Sequence, residues 1–335
     1  MVVAVHGAYR GLVDEMRAVN PDLVILVYLN GTFAQQNQRV AFPRRWYART
    51  RGGEKIRSRG YGNYLMLPSR PGWVDNVRDR CARFRREGPY DGCFVDMLGT
   101  APLERGYLNG RPINPATGRV WTKPQWLKAT SALAAKVKTR ISPHIVAANG
   151  LRNGKAYFSS KAPSERLLRA VDGACAESWL RHAEQGVRDW PTVREWKKNV
   201  NMLRDAGAQG KSILALTKLW VRATDAQKRR WHRFTLASFL LGDDGVSYFS
   251  FTASRRRDPT RGHPWWNVEL GDPLSPYTAN GGVYQREFQH GRVLVNPTNA
   301  TASIALGGLY VDLSGRSIRR VTLGPHGAEV LRAAS

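Results

Sequence analysis

Two short stretches of this sequence rhyme. They are "YDGCFVDM" (90–97) and "VDGACAES" (171–178). Each reads as a buried apolar strand that begins at an aspartate and runs out at a carboxylate, Asp96 in one and Glu177 in the other. A pair of carboxylates at one mouth suits cleavage of a glycosidic bond. One acts as nucleophile or base and the other as acid. The acid needs an apolar or anionic neighbourhood to keep its proton near neutral pH, and Trp179, two residues after Glu177, is expected to help form it. A carboxylate at a strand end also serves as a helix cap or a loop hydrogen-bonding group, so the weight rests on the matched pair. Asp91 and Asp172 open the same two strands and belong to the opposite, structural face.

Other residues at strand ends are candidates for binding substrate. Tyr28, Asn149 and Trp179 either line the site or sit on its rim. Trp220, Trp265 and Trp266 fall in loops after predicted strands, and 11 tryptophans supply aromatic faces of the kind that stack on sugar rings. Trp265 and Trp266 suit a plug at a domain junction equally well. Asp272, in "ELGDP", lies in a loop that can reach the mouth. Asp243 and Asp244 in "GDDG" read as a turn. The seven histidines show no HExxH or paired spacing, so no metal site is expected, and no cofactor. Of the three cysteines none is in a CxxC pair. Cys93 and Cys175 sit in apolar runs and are expected as buried free thiols, without a disulfide framework or zinc site.

The elements that must position these residues alternate along the chain. Apolar runs at 2–5, 23–30, 63–68, 91–97, 144–150, 172–180, 211–220 and 245–251 read as strands. Helical patterns at 11–21, 71–88, 123–140, 164–171, 190–206 and 225–241 separate most of them. In 71–88 the residues Trp73, Val77, Cys81 and Phe84 share one side, and Gly88 ends the run. The strand runs are rich in Val, Ile, Leu and Ala rather than alternating, as in a parallel sheet covered on both faces. About eight such units in roughly 250 residues predict a (β/α)8 TIM-type barrel over 1–263, whose active site lies at the C-terminal strand ends. A doubly wound sheet competes, but the first strand is followed by no glycine-rich phosphate fingerprint. Beyond a junction at 264–280 helical periodicity stops. Short runs split by Gly, Asn and Pro predict a small antiparallel β domain at 281–335.

Charge is the outlier of the composition. The net charge is +26, with 52 Lys plus Arg against 26 Asp plus Glu, and only 12 of the cations are lysines. The densest runs are 42–60, 78–87 and 254–263. Such a balance favours a polyanionic partner, or records an arginine-rich composition. No stretch of 18 apolar residues predicts a membrane span. The first residues lack the pattern of a signal peptide. A glycan-acting protein is nevertheless expected outside the cell or in its envelope; a cytoplasmic place stays open.

The segments "NPDLVILVYLN", "NYLMLPSRPGWVDNV", "YDGCFVDMLG", "DGACAESW", "SFLLGDDGVSYFSF", "ELGDPLSPY" and "REFQHGRVLVNP" occur in the order seen in one group. The chain resembles the (β/α)8 glycoside hydrolases catalogued as hypothetical glycosyl hydrolase family fifteen, from about residue 20 to the end. The resemblance implies a retaining or inverting glycosidase with a C-terminal β domain. Barrels of this kind often carry the nucleophile after strand four and the acid/base after strand six. By position that makes Asp96 the nucleophile and Glu177 the acid/base, with retention the favoured outcome. The leading expectation is a hydrolase of a polysaccharide, an anionic or wall-bound one in view of the charge. A non-catalytic carbohydrate-binding or wall-anchoring protein on the same fold is the alternative. Specific nucleic-acid binding ranks third, because no recognised motif accompanies the charge. The oligomeric state is left open.

Overall fold

The computed structural model describes residues 1–9, 11–34, 41–254 and 268–334. Its parallel strands are β1 (Val2–Ala4), β2 (Ile25–Asn30), β5 (Gly92–Asp96), β6 (Ile145–Leu151), β7 (Gly173–Ala176), β8 (Ser212–Lys218) and β9 (Tyr248–Thr252), and they make one sheet in that order. The helices between them are α1 (Val13–Val19), α2 (Pro71–Glu87), α3 (Lys123–Ile141), α4 (Gly154–Ser159), α5 (Lys161–Arg169), α6 (Val193–Gly207) and α7 (Asp225–Gly242). Among the described residues the sheet has seven parallel strands where the sequence suggests eight. The run at 63–68 is the difference. There Tyr64–Leu65 (β4) pairs antiparallel with Phe33–Ala34 (β3) and stays out of the parallel sheet. A short apolar run fits either arrangement, and this one folds back on the loop after β2.

The chain forms two compact units, residues 1–151 with 160–175 and residues 152–159 with 176–335. In the first, β5 is buried over Gly92–Val95 and lies between β2 and β6 in parallel register, Val27 opposite Cys93 and Cys93 opposite Val146. The repeated Asp-Gly of the two rhyming stretches has a structural role at the strand starts. Asp91 Oδ2 accepts from the Ile25 backbone N–H at 2.7 Å and meets Arg17 at 3.0 Å. Asp172 Oδ2 does the same for the Val146 N–H at 2.8 Å and Lys138 at 2.7 Å. The glycine after Asp91 is required by close approach, since a Cβ on Gly92 would sit 1.9 Å from the Ile145 carbonyl oxygen. Helix α2 starts with Pro71 in its first turn and buries Trp73, Val74, Val77 and Cys81. Helix α3 begins with a capping box between Thr122 and Gln125.

In the second unit, α7 packs on a six-stranded antiparallel sheet. Its strands are β10 (Thr278–Asn280), β11 (Val283–Phe288), β12 (Gly291–Asn296), β13 (Ala302–Val311), β14 (Ser317–Leu323) and β15 (Gly327–Ala333), ordered β10-β11-β12-β15-β13-β14. The predicted C-terminal β segment is therefore a sheet. Part of the predicted junction at 264–280 lies outside the described residues.

The cysteine reading needs correction. Cys81 and Cys93 form a disulfide, and Cys175 is a buried thiol outside it. Cys81 lies on the inner side of α2 and Cys93 on β5, and packing of that helix on the sheet brings their Cα atoms to 6.1 Å. Such a pairing follows from tertiary contact, which the search for local CxxC spacing does not see. Alkylation of the denatured, unreduced chain should therefore label one cysteine, and three after reduction. Replacing both Cys81 and Cys93 by Ala should lower unfolding free energy by about 3 kcal/mol, the loop-closure value for a bridge of this span, measured by urea denaturation.

Candidate active site

Asp96 closes β5 beside Asn30, its register partner at the end of β2. On the other side β6 carries Asn149, one residue past the Val95–Ala148 pair. Among the described residues these donors meet the Asp96 carboxylate. The Tyr28 hydroxyl donates to Oδ2 at 2.6 Å, while the Asn149 side-chain amide at 2.8 Å and the Met97 backbone N–H at 2.7 Å donate to Oδ1. Each stabilises negative charge on the carboxylate and fixes its plane. Asn30 supports the cradle from behind. Its amide nitrogen lies 3.5 Å from the Tyr28 oxygen, and its Oδ1 accepts from the backbone N–H groups of Thr32 and Phe33 at 3.1 and 2.7 Å. Met97 takes φ 61°, the left-handed region that side chains seldom enter, where its N–H turns back to the Asp96 side chain. Such strain is found where a fold over-determines a conformation, often at functional sites.

The loop after Asp96 is locked by backbone contact. The Leu98 N–H donates to the Asn149 carbonyl at 2.8 Å. A Cβ on Gly99 would fall 2.6 Å from the Gly150 carbonyl oxygen.

Glu177, in the second unit, directly follows β7. Its Oε1 accepts from the Lys218 ammonium at 3.0 Å; the lysine side chain is 14% exposed and the glutamate 46%. Lys218 ends β8 and lies 4.9 Å over the ring of Trp220, whose Nε1–H donates to Thr252 at 3.1 Å. Arg181 donates from Nε to the Lys218 carbonyl at 3.0 Å. Arg181 is itself almost wholly buried, and that burial pulls its guanidinium pKa down to about 10, with Asp189 opposing.

The predicted site residues thus divide. Tyr28 and Asn149 gather on Asp96 as its hydrogen-bond partners rather than as free rim groups. Trp220 lies beside the Glu177–Lys218 pair. Trp179 does not line a mouth. It is 0% exposed, donates to the Asn199 carbonyl at 3.1 Å and packs edge-on against Phe239 and Phe249. A large ring beside buried strands gains more from the core than from solvent. The apolar or anionic neighbourhood expected around Glu177 is accordingly replaced by a cation, Lys218. Asp272 exchanges backbone and side-chain bonds with Gln289 in the β11–β12 turn, at 2.9 and 3.0 Å, and is exposed there. It serves the antiparallel sheet. Trp265 and Trp266 lie outside the described residues. The sequence reading passed over Asn30 and Lys218. Both end a strand, as Asp96 does, and that position was the available signal.

A cavity of about 960 Å³ in the second unit is lined by Trp190, Trp231, His326, Arg230, Asp189 and neighbours, and by none of these groups. Trp190 is already stacked on Trp231 at 3.7 Å and on His326 at 4.9 Å. Asp189, its one carboxylate, accepts from the Gly186 N–H. The cavity carries no pair of strand-end carboxylates. Among the described residues no group of His, Cys, Asp and Glu is placed to hold a metal ion, and no helix is long and apolar enough to cross a membrane.

A parallel sheet with helices, followed by an antiparallel sheet, is a fold of the TIM-barrel glycosidase type, and solved structures share it. Eubacterium rectale Amy13B aligns with TM-score 0.54 at 8% identity, over 98% of this chain and 82% of its own. The noncanonic maltogenic alpha-amylase AmyB from Thermotoga neapolitana aligns with TM-score 0.53 at 11% identity, over 96% and 80%. No curated protein matches the sequence. The chain belongs to hypothetical glycosyl hydrolase family 15, which it matches over residues 17–292.

The Gly99 contact sets a test of the loop. Gly99→Ala should cost about 1–3 kcal/mol in urea unfolding, because backbone must move to admit the methyl group. Gly324→Ala, at a position with open space around it, should stay within about 0.5 kcal/mol.

Proposed function

We propose that this protein is a glycoside hydrolase that cleaves a polysaccharide, with Asp96 as nucleophile and Glu177 as acid/base. The observation that carries the reading is the Asp96 carboxylate at a parallel strand's C-terminal end, held by Tyr28, Asn149 and the Met97 N–H, in a chain of a glycosyl hydrolase family. Fixed donors orient a carboxylate for attack before substrate arrives. In the proposed reaction Glu177 gives a proton to the leaving oxygen as Asp96 bonds to the anomeric carbon. Water then attacks that carbon, Glu177 takes the water's proton, and the sugar leaves with retained configuration. Trp220 offers an aromatic surface beside Glu177. The eight-stranded closure of a full TIM barrel belongs to this proposal as well.

The net charge of +26 favours an anionic glycan such as a wall or capsular polymer. The Cys81–Cys93 disulfide supports an oxidising compartment, outside the cell or in its envelope.

A panel of bacterial wall and capsular polysaccharides tests the reaction. Wild type should release sugar, and NMR of the first product should show retention. Folded Asp96→Asn and Glu177→Gln should each lose about a hundredfold or more in kcat. Activity surviving in either variant removes that residue from the mechanism. Wild-type binding without release, unchanged in both variants, would turn the reading into a carbohydrate-binding protein.

Lys218 gives a second test. Its ammonium holds the Glu177 carboxylate at 3.0 Å. Folded Lys218→Met should lose about tenfold or more in kcat if that contact places Glu177 for the reaction. If Lys218 serves folding alone, kcat stays in place while stability falls.

A further inference from the structure

The segment between β2 and α2 carries a charge pattern that the proposed reaction does not use. Residues 47–50, 54–59 and 63–67 fold into antiparallel ladders. Arg49 pairs with Lys55, Arg57 with Tyr64 and Tyr47 with Met66. The inward side is apolar: Ala48, Ile56, Leu65 and Leu67 join Phe33, Leu108, Trp121 and Trp126 in one buried cluster. Strand alternation then sends the cations outward. Lys55, Arg57 and Arg59 are exposed where Ile56 and Ser58 are buried, Arg51 is exposed in the turn, and Arg49 is half-buried.

These five cations stand together without compensation. Residues 41–70 contain eight Lys and Arg and a single acid, Glu54, which accepts from the Thr50 hydroxyl at 2.9 Å. Among the described residues none of the five makes an ion pair with a carboxylate. Like charges directly across a ladder, as Arg49 and Lys55 are, oppose folding. The chain nevertheless holds them in place. Arg49 bonds the Gly53 carbonyl, Arg57 the Tyr64 hydroxyl, and Arg59 the Leu108 carbonyl at 3.0 Å. Lys55 lies 4.1 Å over Tyr47 and 5.2 Å over Tyr64, and Arg57 4.3 Å over Tyr64. A preorganised row of unpaired cations is an anion site awaiting its charge.

Its place in the fold gives the row a purpose. The apolar cluster beneath it packs against Met97, the residue after Asp96, and against Tyr107. The row therefore stands on the layer that carries the Asp96 carboxylate. Tyr64 is already occupied by Lys55 and Arg57, which does not suit a platform for stacked bases. Tyr61 at the hairpin tip is the exposed ring, at 75%, and one ring suits a sugar face.

We propose that the hairpin bearing Arg49, Arg51, Lys55, Arg57 and Arg59 is a docking face for an anionic polysaccharide, holding the polymer beside the Asp96 end of the strands. The inference rests on the glycosidase reading for the chemistry of the polymer; the binding itself does not depend on turnover.

The experiment measures binding of labelled polygalacturonate to the full chain over a series of NaCl concentrations. Dextran serves as the neutral polymer and single-stranded DNA as the competing polyanion. Polygalacturonate should bind, dextran should not, and affinity should fall as salt rises. Arg51→Gln, Lys55→Gln and Arg57→Gln combined should weaken binding by about tenfold or more, with a flatter salt dependence. The charge-conserving set Arg51→Lys, Lys55→Arg and Arg57→Lys should stay within about threefold, which separates charge from folding. Neutralising three exposed arginines elsewhere, Arg229, Arg319 and Arg320, should change affinity by less than about twofold. An equal loss in that control would overturn the proposal in favour of bulk charge. Tighter hairpin-dependent binding of DNA at equal salt would overturn it in favour of nucleic acid. Absence of polygalacturonate binding at about 50 mM salt would sink it outright, since electrostatic binding is strongest there. Asp96→Asn separates the two readings. Docking that persists in this variant, with no glycan cleaved by wild type, would remove the hydrolase proposal and leave the docking face standing.

Discussion

The candidate nucleophile depends on the parallel register of three strands. Asp91 ties the start of β5 to both neighbours, since its carboxylate accepts from Ile25 and its backbone carbonyl accepts from Ile145 at 3.3 Å. Gly92 lets the strands approach, because no Cβ fits against Ile145. From that anchor five residues lead to Asp96, and the same register sets Asn30 beside it and Asn149 beyond Ala148. A slip of one residue would turn every side chain of β5 to the opposite face and set Val95 where the carboxylate stands. The structural aspartate at one end of the strand thus defines where the candidate nucleophile emerges at the other.

The antiparallel sheet depends on a comparable single group within its own unit. Arg286 of β11 is 5% exposed and donates to the carbonyls of Leu240, Leu241 and Asp243 at 3.2, 3.4 and 2.6 Å, and it pairs with Asp244. Those carbonyls end α7, where a helix leaves its last acceptors unmet and carries partial negative charge. A strand residue therefore caps the helix on which its sheet packs. Nearby, Arg233 of α7 meets Glu329 of β15 at 2.7 Å. Burial pushes the Glu329 carboxyl above its usual range, and the Arg233 guanidinium opposes the rise. "GDDG" reads in the sequence as a turn; in the fold it is a turn whose carbonyl and carboxylate also receive Arg286.

What was legible in the sequence followed from local rules. The runs around 25–30, 92–96 and 145–151 are apolar on both faces and short, as buried parallel strands must be. Helices α3 and α7 lie where the helical pattern puts them, at 123–140 and 225–241, and the structure adds a capping box at the start of each, Thr122 with Gln125 and Thr224 with Gln227. Strand-end position alone marked Asp96, Tyr28 and Asn149. What escaped was set by tertiary contact. The run 63–68 has strand chemistry, but nothing local says that it pairs with Phe33–Ala34 rather than with a parallel neighbour. Trp179 sits next to Leu180, whose φ of 64° marks a sharp turn of the backbone there, and its ring lies in the core. Cys81 and Cys93 meet only because a helix face packs on a strand. Lys218 went unread because its meaning comes from Glu177, 41 residues earlier.

The environments of the two carboxylates differ in a way that bears on their proposed roles. Asp96 is met by a phenol, a side-chain amide and a backbone N–H, each fixed by the sheet or by a strained turn. Moving it would require breaking bonds on both of its oxygens, so it is suited to keep one orientation throughout a reaction. Glu177 is half exposed and meets Lys218, whose four-carbon stem is flexible and whose ammonium has no directional fork. Such a partner can follow a carboxylate or release it when another polar atom arrives. A nucleophile benefits from the first arrangement, because misplacement by even an ångström is costly. An acid/base must give a proton to one oxygen and take one from another, and benefits from the second. The asymmetry of their hydrogen bonding therefore favours Asp96 as the attacking group and Glu177 as the proton carrier.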